Sequence, residues 1–145
     1  MIAYLDASAL VKRYVLERGS NETIALSASA DIVATTVVSR AEVAAALAKA
    51  ARIGLLSTAH ARRAQRAFVR DWPDLARIPV TDALVTRAEA LAWDHALRGY
   101  DAIQLASALT WQDAIGSEIV LATFDRALWD AAAEVGIERW PATLA

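Results

Sequence analysis

Short apolar runs alternate along this chain with longer segments in which apolar residues recur at helical spacing. The short runs predict five strands, at residues 2–5, 32–35, 75–80, 118–122 and 137–140. The longer segments predict helices at about residues 8–17, 20–29, 40–53, 58–72, 81–97, 102–112 and 126–135. Because helices separate successive strands, the pattern predicts an α/β fold with three layers, in which a mostly parallel central sheet carries helices on both faces.

Glycine and proline residues set the expected ends of several helices. Gly19 follows the first helix, Gly54 ends the long Ala-rich third helix and Gly136 closes the last one. Pro73 stops the fourth helix, and Gly99 is expected to break the chain between two helices. Since no linker or low-complexity segment interrupts the alternation, residues 1–145 are expected to form a single domain.

The composition narrows the class of protein. The 145 residues include no cysteine, which excludes a disulfide framework and a thiolate zinc site and is typical of a reducing cytoplasm. The N-terminus lacks the basic start of a signal peptide, and Asp6 interrupts its first apolar run. No window approaches the roughly 18 apolar residues of a membrane span. We therefore expect a soluble, cytoplasmic protein that does not associate with membranes.

Four acidic residues fall where a short apolar run gives way to a helical segment. They are Asp6, Glu42, Asp101 and Asp125. In a parallel α/β sheet the strand-to-helix junctions lie along one edge, so acids that are distant in sequence can meet in one crevice there. Clustered carboxylates repel one another and need a cation, and an all-oxygen site prefers Mg²⁺ or Mn²⁺ to Zn²⁺. The two histidines, His60 and His95, are expected to be structural rather than catalytic.

Each acid also has a purely structural interpretation as a helix cap. Asp6 and Asp125 are placed to accept a backbone N–H at the start of the helix that follows each of them. Capping-box spacing occurs at Asp101 with Gln104 and at Ser39 with Glu42. The two interpretations are compatible, because an acid that caps a helix at a strand-to-helix junction already lies at the edge where α/β sites form.

Two hydroxyl residues accompany the acids at the ends of predicted strands. Asp6 closes the first strand and Asp125 follows the fourth, so rigid elements bring both acids to the edge of the sheet. Ser8 and Thr123 stand two residues from these acids. Their hydroxyls are suited to orient a carboxylate or a metal-bound water.

The distribution of charge is more informative than the formal net charge of −2. Between Lys49 and Arg77 there are seven basic and two acidic side chains. Within that segment Arg62, Arg66 and Arg70 recur every four residues and form one stripe along a helix, which is suited to bind a phosphate backbone. A solvated helix face is the alternative explanation of the same stripe.

Four segments of the chain occur in the same order in a known family. They are Leu5-Asp6-Ala-Ser8, the lone Glu42 early in an Ala-rich helix, Leu97-Arg-Gly-Tyr-Asp101-Ala-Ile-Gln-Leu-Ala-Ser-Ala108 and Leu121-Ala-Thr-Phe-Asp125-Arg. Together they resemble the PIN domain, and more narrowly the VapC-type ribonuclease toxins of bacterial toxin–antitoxin modules. The resemblance covers essentially the whole chain, and its most specific parts are the segment around Asp101 and the Thr-x-Asp after the last long strand.

The resemblance implies a metal-dependent endoribonuclease that hydrolyses RNA phosphodiesters with a metal-activated water and leaves a 5′-phosphate and a 3′-hydroxyl. The acidic quartet of the family corresponds to Asp6, Glu42, Asp101 and Asp125, with Ser8 and Thr123 as polar support. By this reading the quartet binds Mg²⁺ or Mn²⁺, chiefly through its three Asp residues, and Glu42 orients the attacking water. The stripe of Arg62, Arg66 and Arg70 inherits no role from the resemblance.

Two protein partners are expected. The resemblance implies a cognate antitoxin, a segment of which covers a helical groove and reaches toward the acids with a basic side chain. The apolar, Ala-rich helices and the five Trp residues predict that part of the surface is covered in a homodimer.

Two other functions stay open at the level of sequence. A metal-dependent phosphatase or phosphoacceptor domain also places acids at strand ends, but the haloacid-dehalogenase type requires Asp-x-Asp after the first strand, where this chain has Ser8. A receiver domain has a lysine late in the chain, whereas Lys12 and Lys49 both lie in the first half. The other alternative is a non-catalytic protein-binding module in which the acids only cap helices.

Overall fold

A computed structural model describes residues 1–145 as one five-stranded sheet packed between helices. The strands are β1 (Ile2–Leu5), β2 (Ile32–Thr36), β3 (Ala76–Ile78), β4 (Val120–Ala122) and β5 (Glu138–Trp140). The helices are α1 (Ala7–Val11), α2 (Ser20–Ser29), α3 (Ser39–Arg52), α4 (Thr58–Asp71), α5 (Asp82–His95), α6 (Gly99–Ile115) and α7 (Arg126–Glu134), with a 3₁₀ turn at Trp72–Asp74. None of these helices combines the length and the apolar character needed to cross a membrane.

All four strand pairs of the sheet are parallel, in the order β3-β2-β1-β4-β5. The central strand is β1, in which Tyr4 pairs with Ala34 of β2 on one side and with Leu121 of β4 on the other. The chain therefore leaves β1 toward β2 and later returns to the opposite side of β1. Such a reversal of winding opens a crevice at the carboxyl ends of the two strands, where α/β proteins commonly bind their ligands.

The sheet separates two apolar cores. Tyr4 and Leu121 belong to a core formed with α5, α6 and α7. Ala3, Leu5 and Ala122 belong to a second core, formed with α1, α3 and α4. Because successive side chains of a strand point to opposite faces of the sheet, this division confirms the predicted three-layer arrangement with helices on both faces.

The first helix is shorter than the apolar pattern predicts, since α1 ends at Val11 rather than near Glu17. The chain then turns back toward the sheet edge through Gly19, which has a φ of +89°. A Cβ at this position would lie 2.9 Å from the Phe124 ring. Only glycine combines this left-handed conformation with so close an approach, and the turn that depends on it replaces the last predicted turn of the helix.

The sixth helix begins at Gly99, so the expectation that this glycine breaks the chain is wrong. The break occurs at Ala96, which ends α5 in the left-handed conformation with a φ of +52°. Arg98 is extended and precedes the first turn of α6. Glycine is tolerated there because the first N–H groups of a helix have no partner within it. As a result, Asp101 lies inside the first turn of the helix.

The remaining elements agree with the predicted ones to within a few residues. Among the strands, the largest difference is at the third, which is predicted at residues 75–80 but spans only Ala76–Ile78. The 3₁₀ turn at Trp72–Asp74 takes the place of the last predicted helical residue and delays the start of this strand. These differences leave the strand order and the position of the crevice unchanged.

Candidate active site

Asp6 follows the last residue of β1 and is almost completely buried, with 4% of its surface exposed. Its Oδ1 accepts hydrogen bonds from the Ala9 backbone N–H at 3.0 Å and from Ser8 Oγ at 2.7 Å. Its Oδ2 accepts one from Thr123 Oγ1 at 2.6 Å. Asp6 therefore caps α1, as the helix-cap interpretation predicts, and two hydroxyls fix its orientation at the edge of the sheet.

Thr123 connects the end of β1 to the segment after β4. Its buried hydroxyl donates to Asp6 and accepts the backbone N–H of Asp125 at 3.0 Å. Ser8 makes a similar link, because its hydroxyl donates to Asp6 and accepts the Phe124 backbone N–H at 2.9 Å. Asp125 itself caps α7 through Oδ1, which leaves Oδ2 for another partner. The two hydroxyls thus hold both acid-bearing segments in a fixed relation.

Glu42 lies in the first turn of α3, where a buried glutamine holds its carboxylate. Gln104, on α6 and only 1% exposed, donates one amide proton to Glu42 Oε1 at 2.7 Å and the other to Ser39 Oγ at 2.9 Å. The Gln104 oxygen accepts the Tyr4 hydroxyl at 2.6 Å. Ser39 Oγ also lies 2.7 Å from Thr35 Oγ1. Both protons and the oxygen of the amide are used, so its orientation is fixed from the core.

Asp101 and Asp125 share one guanidinium. Arg98 Nε lies 3.2 Å from Asp101 Oδ2, and Arg98 Nη2 lies 3.2 Å from Asp125 Oδ2. The Arg98 side chain is 81% exposed, whereas that of Asp101 is largely buried. The guanidinium therefore covers the two carboxylates from the solvent side.

A cavity of about 600 Å³ opens beside these groups, lined by Glu42, Arg98, Gly99, Tyr100, Asp101 and Ile103. A larger cavity of about 990 Å³ lies between α2 and the C-terminal segment, but none of the four predicted acids lines it. Glu42 and Asp101 line the smaller cavity, and Arg98 links it to Asp125, so this cavity is the candidate active site.

Three of the acids have raised pKa values. Burial raises the pKa of Asp6 to about 6, opposed by its hydroxyl and N–H donors and reinforced by the Glu42 charge. Burial also raises the pKa of Glu42, opposed by the Gln104 amide and reinforced by the Asp101 charge. Burial and the Asp125 charge raise the pKa of Asp101, against the effect of Arg98. Each acid thus repels the next, and the structure brings all four into one electrostatic cluster.

The free energy of unfolding of the metal-free protein is expected to fall as the pH rises from about 4 to 6. Asp6, Glu42 and Asp101 hold their protons more tightly in the folded chain than in the unfolded one, since their folded-state pKa values are raised. The folded state therefore carries more protons in this window, and deprotonation destabilises it. The shift at Asp6 alone, from 3.8 to about 6, corresponds to about 3 kcal/mol.

Urea unfolding in EDTA at several pH values measures this slope. Asp6→Asn is the matched variant, because it cannot ionise but still accepts a backbone N–H as a cap, and its slope should be smaller. Saturating Mg²⁺ should also reduce the slope, since a cation favours the ionised carboxylates. A stability that rises between pH 4 and 6 in EDTA would contradict the burial of these charges.

Two of the four acids do not cap helices. Asp101 lies inside the first turn of α6, and the Gln104 side chain points into the core, so the capping box predicted between them is wrong. Ser39 is the first residue of α3, and its hydroxyl meets Thr35 and Gln104, so the predicted box with Glu42 is also wrong. In both places a tertiary hydrogen bond has replaced the local one that the spacing indicates.

Replacing Ser39 by Ala is expected to lower the free energy of unfolding by about 1–3 kcal/mol, because one buried Gln104 proton loses its acceptor. Ser57→Ala is the matched control, since Ser57 is an exposed N-cap that accepts the His60 backbone N–H at 3.1 Å. Loss of that cap should cost about 1 kcal/mol. Urea denaturation of both variants gives the comparison, and a smaller loss at Ser39 than at Ser57 would contradict the buried network.

The residues of the site fit a hard divalent cation. No group of three or more His, Asp or Glu side chains lies close enough together in this structure to hold a metal ion. Instead, the positive charge between Asp101 and Asp125 is supplied by Arg98. A cluster of carboxylates that already requires a cation, without cysteine or histidine ligands, has the donor chemistry that Mg²⁺ and Mn²⁺ prefer.

Arg98, Tyr4 and Gln104 were missed as members of the site by the sequence reasoning. Gln104 does leave a signal, because it is a single amide among the buried apolar positions Ala102, Leu105 and Ala106 of α6. A buried polar residue of this kind needs hydrogen-bond partners, and one of those of Gln104 is the candidate site residue Glu42. Arg98 leaves no comparable signal, since an arginine beside a glycine is typical of any exposed turn.

The remaining predicted residues lie outside this cluster. Arg62, Arg66 and Arg70 are all exposed on α4, whose opposite face packs Ala61, Ala64 and Phe68 into the core. None of the three arginines forms a hydrogen bond or an ion pair with a protein group. His95 Nδ1 lies 2.6 Å from Glu134 Oε2, in agreement with a structural role.

The chain matches one protein-family model, and it is similar to known proteins both in sequence and in structure. The family model of the PIN domain matches residues 3–134. Ribonuclease VapC45 of Mycobacterium tuberculosis (strain CDC 1551 / Oshkosh) is 38% identical over 144 residues, which cover 99% of this chain and 97% of that protein. VapBC2 from Rickettsia felis, solved with a promoter DNA fragment, has a TM-score of 0.64 at 14% identity and covers 97% of this chain and 99% of its own. A toxin-antitoxin complex from Klebsiella pneumoniae has a TM-score of 0.58 at 19% identity, with 85% and 86% covered.

Proposed function

Because this chain belongs to the PIN domain family, we propose that it is a metal-dependent endoribonuclease and the toxin of a toxin–antitoxin module. Three linked features carry the proposal: Thr123 joins the Asp6 and Asp125 segments, Arg98 bridges Asp101 and Asp125, and burial together with the Glu42 charge raises the pKa of Asp6. The 38% identity to a protein named as a ribonuclease supports RNA as the substrate. Residues 1–145 act as a single nuclease domain.

The chemistry assigns a role to each acid. A bound Mg²⁺ or Mn²⁺ would lower the pKa of water and neutralise the charge that develops on the phosphate. Asp6, Asp101 and Asp125 would hold the ion, while Ser8 and Thr123 keep the Asp6 carboxylate in position. Glu42, oriented by the Gln104 amide, aligns the attacking water and accepts its proton.

The reaction yields a 5′-phosphate and a 3′-hydroxyl. The water oxygen attacks phosphorus and the bond to the 3′ oxygen breaks, so the fragment on the 3′ side keeps the phosphate. The departing 3′ oxygen takes up a proton from solvent. A phosphatase is less well supported, because the position two residues after Asp6 is held by Ser8, whose hydroxyl is already committed to Asp6 and to a backbone N–H. The second aspartate that a haloacid-dehalogenase phosphatase requires is therefore missing at this position.

An antitoxin and a second copy of this chain are the proposed protein partners. A solved structure of this fold is a toxin-antitoxin complex, which supports an antitoxin here. Large apolar side chains that are exposed in the single chain support a homodimer, with Trp93 86% exposed and Leu16 and Leu55 also largely exposed. The antitoxin covers a helical groove and neutralises the acids with a basic side chain.

The proposed activity is tested by sequencing RNA 5′ ends in cells after induction of the protein. A capture step that ligates only 5′-monophosphates should reveal new ends at discrete sites that share a sequence or a loop structure. The Asp101→Asn variant, expressed at the same level, serves as the control and should give no new ends. New ends carrying a 5′-hydroxyl, or hydrolysis of phosphomonoesters without RNA cleavage, would contradict the proposal.

We also propose that the stripe of Arg62, Arg66 and Arg70 binds the RNA backbone. Replacing all three by Gln should weaken RNA binding, because three phosphate contacts are lost. Fewer counterions are then released on binding, so the magnitude of the slope of log K against log salt should fall by about 2. Fluorescence anisotropy with a labelled oligoribonucleotide at several salt concentrations measures this slope. The melting temperature should not change, because all three side chains are exposed. An unchanged slope would leave the stripe as a solvated face or as the surface for a protein partner.

A further inference from the structure

Arg98 is the one cationic side chain in hydrogen-bond contact with the acids of the site. Its Nε and Nη2 each lie 3.2 Å from a carboxylate oxygen, Asp101 Oδ2 and Asp125 Oδ2 respectively. The other cations near this edge have different partners. Lys12 Nζ contacts Glu17 and the Arg18 carbonyl, and Arg126 donates to the Leu144 carbonyl.

We propose that Arg98 is a substrate-binding residue, held across Asp101 and Asp125 until a divalent cation takes its place between them, after which its guanidinium contacts the RNA phosphate. The inference rests on the proposed nuclease function. It goes beyond that function by assigning one residue two successive positions, and it makes binding of the cation and binding of RNA interdependent.

The Arg98 guanidinium and a metal ion would compete for the same negative charge. Both of its contacts are made to Oδ2 of two acids that are proposed to hold the ion. A cation placed between these oxygens removes the electrostatic reason for the guanidinium to stay, because the two positive charges repel each other at such short range.

The Arg98 side chain is easily released from the two carboxylates. Its side chain is 81% exposed, and the two carboxylates are its only hydrogen-bond partners. Exposed ion pairs of this kind contribute little to stability, so the displacement costs the fold little. Arg98 precedes α6 in an extended conformation, and its side chain is not packed under any other element.

Once released, the guanidinium faces the cavity that the RNA substrate enters. Arg98 lines the cavity of about 600 Å³ together with Glu42, Tyr100 and Asp101. A phosphodiester that approaches Glu42 and Asp101 enters this cavity, and the planar fork of a guanidinium matches two phosphate oxygens. No other arginine or lysine lines the cavity.

Manganese binding tests the competition directly. Isothermal titration calorimetry with Mn²⁺ should show about tenfold tighter binding to Arg98→Gln than to the unmodified protein, as expected for removal of one close competing charge. Arg126→Gln is the matched control, because it removes an exposed positive charge next to Asp125 in sequence that bonds to the Leu144 carbonyl instead. The affinity of the Arg126→Gln variant for Mn²⁺ should differ from that of the unmodified protein by no more than about twofold. Equal effects of the two substitutions, or no effect of either, would overturn the competition.

RNA binding tests the second position of Arg98. In a cleavage-deficient Glu42→Gln background, Arg98→Gln should weaken binding of a labelled single-stranded oligoribonucleotide about tenfold with Mn²⁺ present and less than about twofold in EDTA. Arg98→Lys keeps the positive charge but not the planar fork. Its affinity for RNA in Mn²⁺ should therefore lie between that of Arg98→Gln and that of the protein with Arg98. Arg126→Gln should change RNA binding by the same factor in both conditions. A loss at Arg98→Gln that is equal with and without Mn²⁺ would make Arg98 an ordinary surface charge and overturn the proposal.

The two experiments separate this inference from the proposed function. Absence of RNA cleavage under all metal conditions would remove the nuclease proposal, whereas Mn²⁺ binding by the Arg98 variants would still decide whether the guanidinium occupies the cation position. Normal cleavage with unchanged Mn²⁺ affinity would keep the nuclease and overturn the inference about Arg98.

Discussion

The Asp101→Asn variant is expected to cleave RNA about 100- to 1000-fold more slowly than the unmodified protein, because it removes one charge from the set proposed to hold the cation. Its melting temperature without metal should stay the same or rise. Asp101 caps no helix, and its neutralisation relieves the repulsion with Asp125. The ion pair lost with Arg98 is exposed and contributes little. Cleavage of a labelled RNA and a thermal melt in EDTA measure the two effects.

Asp125→Asn should behave in the same way for a different reason. Asp125 does cap α7, but asparagine caps a helix about as well as aspartate. In both variants the stabilisation by added Mg²⁺ should shrink. Asp94→Asn is the matched control, since Asp94 is exposed on α5 outside the acid cluster, and it should change neither quantity. Near-normal cleavage by the first two variants, with full stabilisation by Mg²⁺, would show that these acids are only structural.

Removal of divalent metal with EDTA is expected to abolish RNA cleavage completely, and an excess of Mg²⁺ or Mn²⁺ should restore it. The reason is that four carboxylates repel a phosphodiester unless a cation lies between them. Zn²⁺ alone should not restore cleavage, because it prefers sulfur and nitrogen ligands. The chain has no cysteine, and His95 is paired with Glu134.

Thermal melts provide a measurement of metal binding that does not depend on activity. An ion present at about 100 times its dissociation constant stabilises the fold by about 2.7 kcal/mol. The shift should be larger at pH 7 than at pH 5, because burial holds the pKa of Asp6 at about 6 and protons compete with the cation. Full cleavage in EDTA, or cleavage supported by Zn²⁺ alone, would be incompatible with the all-oxygen site.

The fold and the position of the site were predictable from the sequence because both follow from local patterns. The alternation of apolar runs and helical segments gives a parallel sheet, and a parallel sheet gathers its strand-to-helix junctions along one edge. Asp6 and Asp125 lie directly after strands, so their convergence needs no further information. The hydroxyls of Ser8 and Thr123 follow from the same spacing, and both do contact Asp6.

The parts that could not be predicted depend on contacts between distant elements. The spacing of Ser39 and Glu42 indicates a local capping box, but Gln104 on another helix supplies the hydrogen bond instead. The start of α6 depends on the left-handed residue Ala96, a conformation that alanine seldom adopts. No local pattern indicates either feature, because each is stabilised by the packing of α6 against the rest of the chain.

The pairing of β1 with β4 also determines when the candidate site can form during synthesis of the chain. The hydrogen bond from Thr123 to Asp6 joins residues 117 positions apart, so the ribosome must synthesise most of the chain before this edge of the sheet can close. Contacts of such long range form late, and domains fold as units during synthesis. A nascent or prematurely terminated chain that lacks β4 has Asp6 but neither Thr123 nor Asp125. A chain that stops before β4 therefore cannot assemble the candidate site.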